Sequence, residues 1–336
     1  MDETGESHAL MTAAGCDVVA GELDQDREAL RAAAPDAAAL LGATFRGGVI
    51  DRELLAGFPG LRIVAKYTIG VDDVDVDAAT GLGILVTHSP TEANWGGVAE
   101  GTIALLLAFL KRIRERDRHV KAGGWRDKRL EGRYVGRRAD GYPGITVGIV
   151  GLGRVGSRVA ELLEPWRVRL LGTDPYVEDA SFALLGVERV ELDTLLRESD
   201  VVTLHCNLTR ETRGLIGSRA LDHMKPDALL INTARGPIVD VDALRDAVER
   251  GLIGGAAIDV LPHEPPPAGS GLLTLGDKVI LSPHMVAANQ GGTLEAAIPW
   301  ATDAVLAALR SEVPEYVYNR EAIELWRRRF AGRSLL

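Results

Sequence analysis

Three side chains suited to acid, base or anion-binding chemistry follow short apolar runs in the second half of the chain. Arg235 lies in "INTARGPIVD", Glu264 in "DVLPHEPPP", and His284 directly after "KVILSP". A guanidinium can hold a carboxylate or keto oxygen through charge-assisted hydrogen bonds, each contributing roughly 1.5–3 kcal/mol. A histidine beside a carboxylate has its charged form favoured and can act as a general acid. Three adjacent post-strand loops therefore predict one reactive crevice.

A glycine loop precedes these residues in "ITVGIVGLGRVGSRVA", where Gly151, Gly153 and Gly156 form GxGxxG between a predicted strand and a predicted helix. Such a loop allows a tight turn, close approach to a pyrophosphate, and close packing of helix on strand. The next predicted strand ends at Asp174, which can accept hydrogen bonds from ribose hydroxyls. Repulsion of a 2′-phosphate at about 1–4 kcal/mol favours NAD over NADP.

The elements that must position these residues alternate between short β-branched or apolar runs and helical segments. This alternation predicts an α/β fold with a parallel, doubly wound sheet. Asp240 and Gly251 are expected to begin and end one helix. The predicted strands of this part are 145–150, 169–174, 187–192, 201–206, 228–233, 255–259 and 278–282.

The first hundred residues repeat the alternation less clearly, with predicted strands at 16–21, 39–44, 61–67 and 83–88. After residue 290 the pattern is mainly helical, with a helix at 294–312 interrupted by Pro299. The apolar run at 101–110 is too short to span a bilayer and predicts a buried helix.

Composition excludes several classes of protein. Of the 336 residues, 46% are hydrophobic and 26% are charged, and the net charge of −10 comes without a long basic block. We expect neither a nucleic-acid nor a membrane partner. Two cysteines without a CxxC or a Cys/His cluster indicate no metal site and fit a reducing cytoplasm.

Longer motifs extend this interpretation to nearly the whole chain. The segments "GIVGLGRVG", "HCNLTRETRGLIG", "MKPDALLINTARGPIVD", "GAAIDVLPHEP" and "SPH" resemble the NAD-dependent D-2-hydroxyacid dehydrogenase family, which includes D-3-phosphoglycerate dehydrogenase. So do "KYTIGVDDVDVDAA" and "GVAEGTIALLLAFLKRI". The resemblance implies two Rossmann-like domains: a central NAD-binding domain at 97–287 and a discontinuous, flavodoxin-like substrate domain at 1–96 and 288–336. It also implies a homodimer.

The resemblance further implies reversible hydride transfer between NAD and a small-molecule 2-oxo or D-2-hydroxy acid. His284 would be the acid/base, Glu264 would tune it, and Arg235 would hold the substrate carboxylate. The residues expected at the cofactor are Gly151, Gly153, Arg154, Val155, Gly156, Asp174, Thr233, Ala234, Asp259 and His284. Those expected at the substrate are Lys66, Tyr67, Ile69, Gly70, Asn94, Arg235 and His284.

The chain departs from the family pattern in three places. The usual first strand is missing before "GESHALMTAAG", which leaves a late start or a trimmed substrate domain as alternatives. The family's RxGxGxDN appears as "KYTIGVDD", and "MVAAN" replaces "xGxxT" after His284. Arg46, Lys66 and His88 could bind a second phosphate, phosphonate or carboxylate. Tyr67 and Trp95 could instead stack on an aromatic substrate.

Two other functions stay open at this point. A phosphite-type dehydrogenase of the same fold is one alternative; formate-type relatives use glutamine at the position of Glu264, which disfavours formate. A non-catalytic NAD(H)-sensing binding protein is the other, but the set of Arg235, Glu264 and His284 favours turnover.

Overall fold

The computed structural model describes residues 5–20, 27–42, 48–290, 292 and 294–336. Its helices are α1 Glu6–Ala13, α2 Arg27–Ala33, α3 Arg52–Ala56, α4 Val76–Leu82, α5 Glu92–Leu110, α6 Ile113–Lys121, α7 Arg154–Leu163, α8 Asp179–Leu184, α9 Leu192–Glu198, α10 Ser218–His223, α11 Val241–Arg250, α12 Ile298–Leu309 and α13 Ile323–Phe330. Its strands are β1 Ala39–Leu41, β2 Ile63–Ala65, β3 Leu85–Thr87, β4 Thr146–Val150, β5 Arg169–Thr173, β6 Val187–Arg189, β7 Val201–Leu204, β8 Leu229–Asn232, β9 Gly255–Ile258 and β10 Val279–Leu281.

The chain divides into two compact units. Unit 1 comprises Met1–Asn94 and Ala288–Leu336, and unit 2 comprises Trp95–Ala287. The division expected from the sequence, after residues 96 and 287, lies close to these bounds. Unit 2 is thus contiguous in sequence, whereas unit 1 is assembled from both ends of the chain.

Unit 2 is built on a seven-stranded parallel sheet in the order β10-β9-β8-β7-β4-β5-β6. Counted from β4 as the first strand, this is the Rossmann order 3-2-1-4-5-6 with one further strand beside the sixth. Its seven strands fall within the seven predicted for this part of the sequence. The strands are short and apolar because helices cover both faces of the sheet. Since all the strands are parallel, their carboxyl ends meet at one edge.

Capping residues fix both ends of α11 in unit 2. The Asp240 carboxylate accepts the N–H groups of Asp242 and Ala243, and Gly251 ends α11 with φ 70°, as predicted. By length and mean hydropathy (1.3), α5 could cross a membrane, a property that core helices of soluble proteins share. Leu106 and Leu110 of α5 belong to a core cluster with strand residues of the same sheet. The helix predicted here is confirmed but only in part buried, since 33% of it is buried.

Unit 1 contains a three-stranded parallel sheet in the order β1-β2-β3. These three strands lie within the segments predicted as strands at 39–44, 61–67 and 83–88, but each is only three residues long. The strand predicted at 16–21 is wrong for residues 16–20, which belong to no strand or helix; Gly21 lies outside the described residues. In the flavodoxin order 2-1-3-4-5 a second strand pairs only with the first. Within the described residues no strand precedes Ala39, so this segment has no neighbour.

The carboxyl-terminal part of unit 1 corrects a second expectation. Pro299 does not interrupt a helix but lies in the first turn of α12, where a missing N–H costs no hydrogen bond. The buried Arg62, just before β2, donates to the carbonyls of Ala308 and Leu309, each at 3.2 Å. The indole of Trp326 in α13 donates to the Arg62 carbonyl at 3.0 Å. The start of β2 is thereby held against the last helices.

Candidate active site

His284 follows β10 and has a left-handed backbone, with φ 55°. This conformation costs a side-chain-bearing residue about 1–2 kcal/mol, so neighbouring groups must hold it. The His284 N–H donates to the Asp259 carbonyl at 2.8 Å. The carboxylate of Asp259 accepts the N–H groups of Met285 at 3.0 Å and Val286 at 3.2 Å. Asp259, predicted beside the nicotinamide, is 2% exposed and fixes the backbone around the histidine. We name residues 284–286 the histidine turn.

The His284 ring pairs with Glu264. Its Nδ1 lies 2.7 Å from Glu264 Oε2, and Glu264 Oε1 accepts the Leu261 N–H at 2.8 Å. The hydrogen bond to Glu264 raises the pKa of His284 above its ordinary 6.5, outweighing partial burial and the nearby Arg235 charge. Burial raises the pKa of Glu264, but the bonds from His284 and Leu261 outweigh it and lower that pKa. Because an ionised carboxylate can only accept, Nδ1 carries a hydrogen and Nε2 remains for proton exchange.

Arg235 lies on the loop after β8, and a residue that the sequence analysis missed shapes this loop. The side chain of Asn232, 1% exposed, donates to the Arg235 carbonyl at 2.9 Å and accepts the Ala234 N–H at 3.1 Å. The Arg235 charge lowers the pKa of both Glu264 and His284, which places the three predicted catalytic residues in one electrostatic neighbourhood. A polar residue ending an apolar strand in "ALLINTARG" was the signal for Asn232.

The glycine loop between β4 and α7 fits a dinucleotide. Gly151 has φ 92°, and a Cβ there would lie 2.6 Å from the Cys206 nitrogen. A Cβ on Gly156 would collide with the Gly151 carbonyl, whereas one on Gly153 would meet nothing within 4 Å. The loop is therefore close-packed at its first and third glycines and open at the second. The backbone can approach a phosphate there, in front of the N-terminus of α7.

Asp174 follows β5 at the same edge of the sheet. Its carboxylate accepts the N–H groups of Leu152 and Tyr176, each at 2.9 Å. These bonds join the acid to the glycine loop and use two of the roughly four acceptor positions of a carboxylate. The others can accept ribose hydroxyls. NAD therefore suits this edge.

The remaining predicted cofactor residues have varied surroundings. Arg154 is exposed at the first position of α7, and Val155 is partly buried against the core cluster beside the sheet. The Thr233 hydroxyl, which is buried, lies 3.1 Å from that of Thr102 in α5. Thr233 is thus hydrogen-bonded to α5, whereas the side chain of Arg154 is accessible to a ligand.

Unit 1 carries a tightly bonded turn after β2, which we name the amide turn (residues 66–73). Ser89 donates its hydroxyl to the Lys66 carbonyl at 2.8 Å and its N–H to the Thr68 carbonyl at 3.0 Å. The Thr68 hydroxyl donates to the Gly70 carbonyl at 2.7 Å. The side chains of Ser89 and Thr68 and the backbone of Ser89 thus satisfy the carbonyls of Lys66, Thr68 and Gly70.

Two N–H groups of the amide turn, those of Ile69 and Gly70, differ from these carbonyls in having no partner among the described residues. The Ile69 carbonyl accepts from His88 Nδ1 at 3.2 Å. Two adjacent unpaired N–H groups in a turn are suited to bind an anion.

The other residues predicted at the substrate are turned inward or lie nearby. Lys66 is 2% exposed, and its ammonium lies 2.6 Å from the Asp73 carboxylate. Tyr67 is 6% exposed, and its hydroxyl lies 2.8 Å from that of Ser7. Asn94 is partly exposed in the first turn of α5. Arg46 lies outside the described residues.

The class of protein follows from the strand order and from the chemistry at the strand ends. A Rossmann sheet with this loop binds a dinucleotide, and a histidine–carboxylate pair is suited to move the proton that accompanies a hydride. The protein is an NAD-dependent oxidoreductase.

Comparison with known proteins identifies the family. The sequence model described as "D-isomer specific 2-hydroxyacid dehydrogenase, NAD binding domain" matches residues 103–286. Glyoxylate reductase of Thermofilum pendens is 39% identical over 285 residues, 82% of this chain and 80% of the relative. D-3-phosphoglycerate dehydrogenase of Mycobacterium leprae is 39% identical over 292 residues, 87% of this chain but 53% of the relative. The chain therefore spans about half the length of that relative. The chain belongs to the D-2-hydroxyacid dehydrogenase family.

Solved structures agree with this assignment. The TT0316 protein of Thermus thermophilus has a TM-score of 0.80 and 32% identity, with 94% of this chain and 96% of that chain covered. D-lactate dehydrogenase of Aquifex aeolicus, complexed with NAD and lactic acid, has a TM-score of 0.80 and 27% identity, with 93% and 94% covered. The α/β fold and the NAD cofactor predicted from the sequence are confirmed.

Proposed function

We propose that this chain interconverts a 2-oxo acid and a D-2-hydroxy acid with His284 as acid/base, Glu264 as its partner and Arg235 as the substrate-holding cation. The observation that carries the proposal is the 2.7 Å contact between His284 Nδ1 and Glu264. It raises the pKa of His284, so a larger fraction of the rings carries the proton that a keto oxygen needs during reduction.

NADH held at the glycine loop and Asp174 would supply a hydride to the 2-carbon in the reducing direction. Arg235 holds the carboxylate and polarises the keto group. His284 Nε2 gives a proton to the oxygen as it becomes an alcohol. In the oxidising direction the neutral imidazole takes the hydroxyl proton, while Glu264 stabilises the imidazolium that results.

The substrate carboxylate also requires N–H donors, and we propose that Ile69 and Gly70 provide them. Their unpaired N–H groups, beside carbonyls that already accept hydrogen bonds, support this role. Hydrogen bonds to a charged group contribute roughly 1.5–3 kcal/mol each.

A second anionic group on the substrate remains a hypothesis, to which Lys66 lends little support. Its ammonium is paired with Asp73 and its side chain is 3% exposed. His88 Nδ1 is engaged by the Ile69 carbonyl. We therefore propose that the carboxylate and the keto group dominate recognition. The family resemblance supports the further proposals that the enzyme is a homodimer and acts in the cytoplasm.

The test is NADH consumption with a panel of 2-oxo acids: pyruvate, glyoxylate, hydroxypyruvate, phenylpyruvate, oxaloacetate, phosphonopyruvate and phosphohydroxypyruvate. We expect turnover of at least one of them, lost in His284→Ala, and light scattering checks the dimer. If the chain binds NADH but reduces none of them, the proposal fails. If phosphorylated or dicarboxylic acids are strongly preferred, the second-anion hypothesis gains support.

A further inference from the structure

Two adjacent residues of α5, Gly101 and Thr102, contact both loops that carry the proposed catalytic side chains. Gly101 has no side chain, and the Thr102 hydroxyl already donates its hydrogen to the Val98 carbonyl. We propose that this pair positions the histidine turn and the Arg235 loop, so that α5 sets the geometry of the reaction. The inference rests on the proposed roles of His284 and Arg235.

The contact at Gly101 is a close fit with Val286. A Cβ on Gly101 would collide with the Val286 side chain and would lie 2.6 Å from the Val286 carbonyl oxygen. Because a Cβ cannot approach backbone that closely, any larger residue must displace the histidine turn. Val286 stands where the family pattern has glycine, and the bare helix surface at Gly101 accommodates it.

Displacement of Val286 would reach His284 through Asp259. The Asp259 carboxylate accepts the Val286 N–H at 3.2 Å, and the Asp259 carbonyl accepts the His284 N–H at 2.8 Å. His284 also has a left-handed backbone that these bonds hold. A shift at Val286 would therefore lengthen the bond from His284 to Glu264.

Thr102 makes the corresponding contact with the other loop. It is 1% exposed, its hydroxyl donates to the Val98 carbonyl at 2.9 Å, and it lies 3.1 Å from the Thr233 hydroxyl. Thr233 lies two residues before Arg235. The hydroxyl pair fixes the start of the loop that presents the guanidinium.

The first experiment compares Gly101→Ala with the double variant Gly101→Ala, Val286→Gly. Alanine has a higher helix propensity than glycine, so unfolding of α5 would not explain a loss of activity. We expect kcat to fall about tenfold or more, since misplacement by about 1 Å can cost 10²-fold. The Kd for NADH should stay unchanged. Val286→Gly removes only the collision with the side chain and leaves the 2.6 Å approach to the carbonyl oxygen of residue 286, so the double variant should recover part of the activity.

A second readout follows His284 directly. In histidine-labelled protein, with His284→Ala to assign the signal, NMR titration should show the His284 midpoint at lower pH in Gly101→Ala. The double variant should move the midpoint part of the way back toward that of the wild type. An unchanged midpoint and an unchanged kcat would overturn the proposal. If the wild type reduces no 2-oxo acid, the proposed function fails, and the NMR titration still decides whether Gly101 positions the histidine.

Thr102 is tested by Thr102→Val, with Thr102→Ser as its matched control. Valine removes the hydroxyl at nearly constant volume, whereas serine keeps it. We expect KM for the 2-oxo acid to rise severalfold in the valine variant and to stay near wild type in the serine variant. Equal effects in both would show that packing, and not the hydroxyl pair, matters at this position.

Discussion

The histidine turn of unit 2 and the amide turn of unit 1 use side-chain and backbone groups in opposite ways. In the histidine turn the group proposed to react is a side chain, and the carboxylate of Asp259 holds the backbone. In the amide turn the groups proposed to bind substrate are backbone N–H groups, and the side chains of Lys66, Thr68 and Ser89 hold the turn. A residue that departs from the family pattern, such as Lys66, can therefore pair with a neighbour inside the protein and need not face a substrate.

The largest effect should come from removing the imidazole of His284, the group proposed to donate the proton. We expect His284→Ala to lower kcat by about 10²–10⁴-fold, the usual contribution of a positioned general acid. The Kd for NADH, measured by fluorescence titration, should change little. A variant that retains a tenth or more of the wild-type kcat would show that another group supplies the proton.

The next effect should come from a tether of the amide turn. Lys66→Met leaves the Asp73 carboxylate without its ammonium, and we expect KM to rise about tenfold for every 2-oxo acid of the panel. Lys66→Arg keeps the charge and is the control. A rise confined to substrates with a second anion would instead mean that Lys66 reads that group, and the contrast between the two turns would break down.

The pH dependence of reduction tests the pairing of His284 with Glu264. The pKa of His284 is raised, chiefly by the hydrogen bond to Glu264, so reduction should persist at low pH and decline as pH rises through that pKa. Glu264→Gln removes the charge, and the decline should begin at lower pH. A downward shift of one pH unit corresponds to about tenfold less activity above the pKa. An identical profile would mean that the pair does not govern the proton.

The smallest effect should come from a neutral tether. Ser89→Ala removes one hydroxyl bond to the Lys66 carbonyl, and a neutral hydrogen bond contributes about 0.5–1.5 kcal/mol. We expect KM to rise about two- to tenfold with kcat nearly unchanged, measured in the same assay. A fall in kcat with KM unaffected would contradict an anchoring role in substrate binding.

Much of this arrangement could be predicted from the sequence because it is local. The glycine loop, the capped helix at Asp240 and the strand ends before Arg235 and His284 each depend on a few consecutive residues. The bonds from Asn232 were signalled only by a polar residue ending an apolar strand. The pairing of Gly101 with Val286 was not predictable, because the two residues lie far apart in sequence and neither is polar.

The unusual residues of the amide turn show a second limit of prediction from the sequence. From sequence, Lys66 and Tyr67 are polar residues beside a ligand-binding turn, and the obvious interpretation gives them a ligand. Their partners, Asp73 and Ser7, make them internal. The strand predicted at 16–21 failed for a related reason, since strand formation needs a neighbour that the segment itself does not specify.

The attachment of Arg62 to the end of α12 has a consequence for the order of folding. Arg62 and Ala308 are 246 residues apart, whereas the sheet of unit 2 forms within one continuous segment. Contacts of such separation carry a larger loop-closure cost and form slowly. During synthesis, unit 2 can fold once residue 287 has emerged, but unit 1 must wait for the last helices. The amide turn, which directly follows β2, should therefore be among the last parts of the molecule to reach its native form.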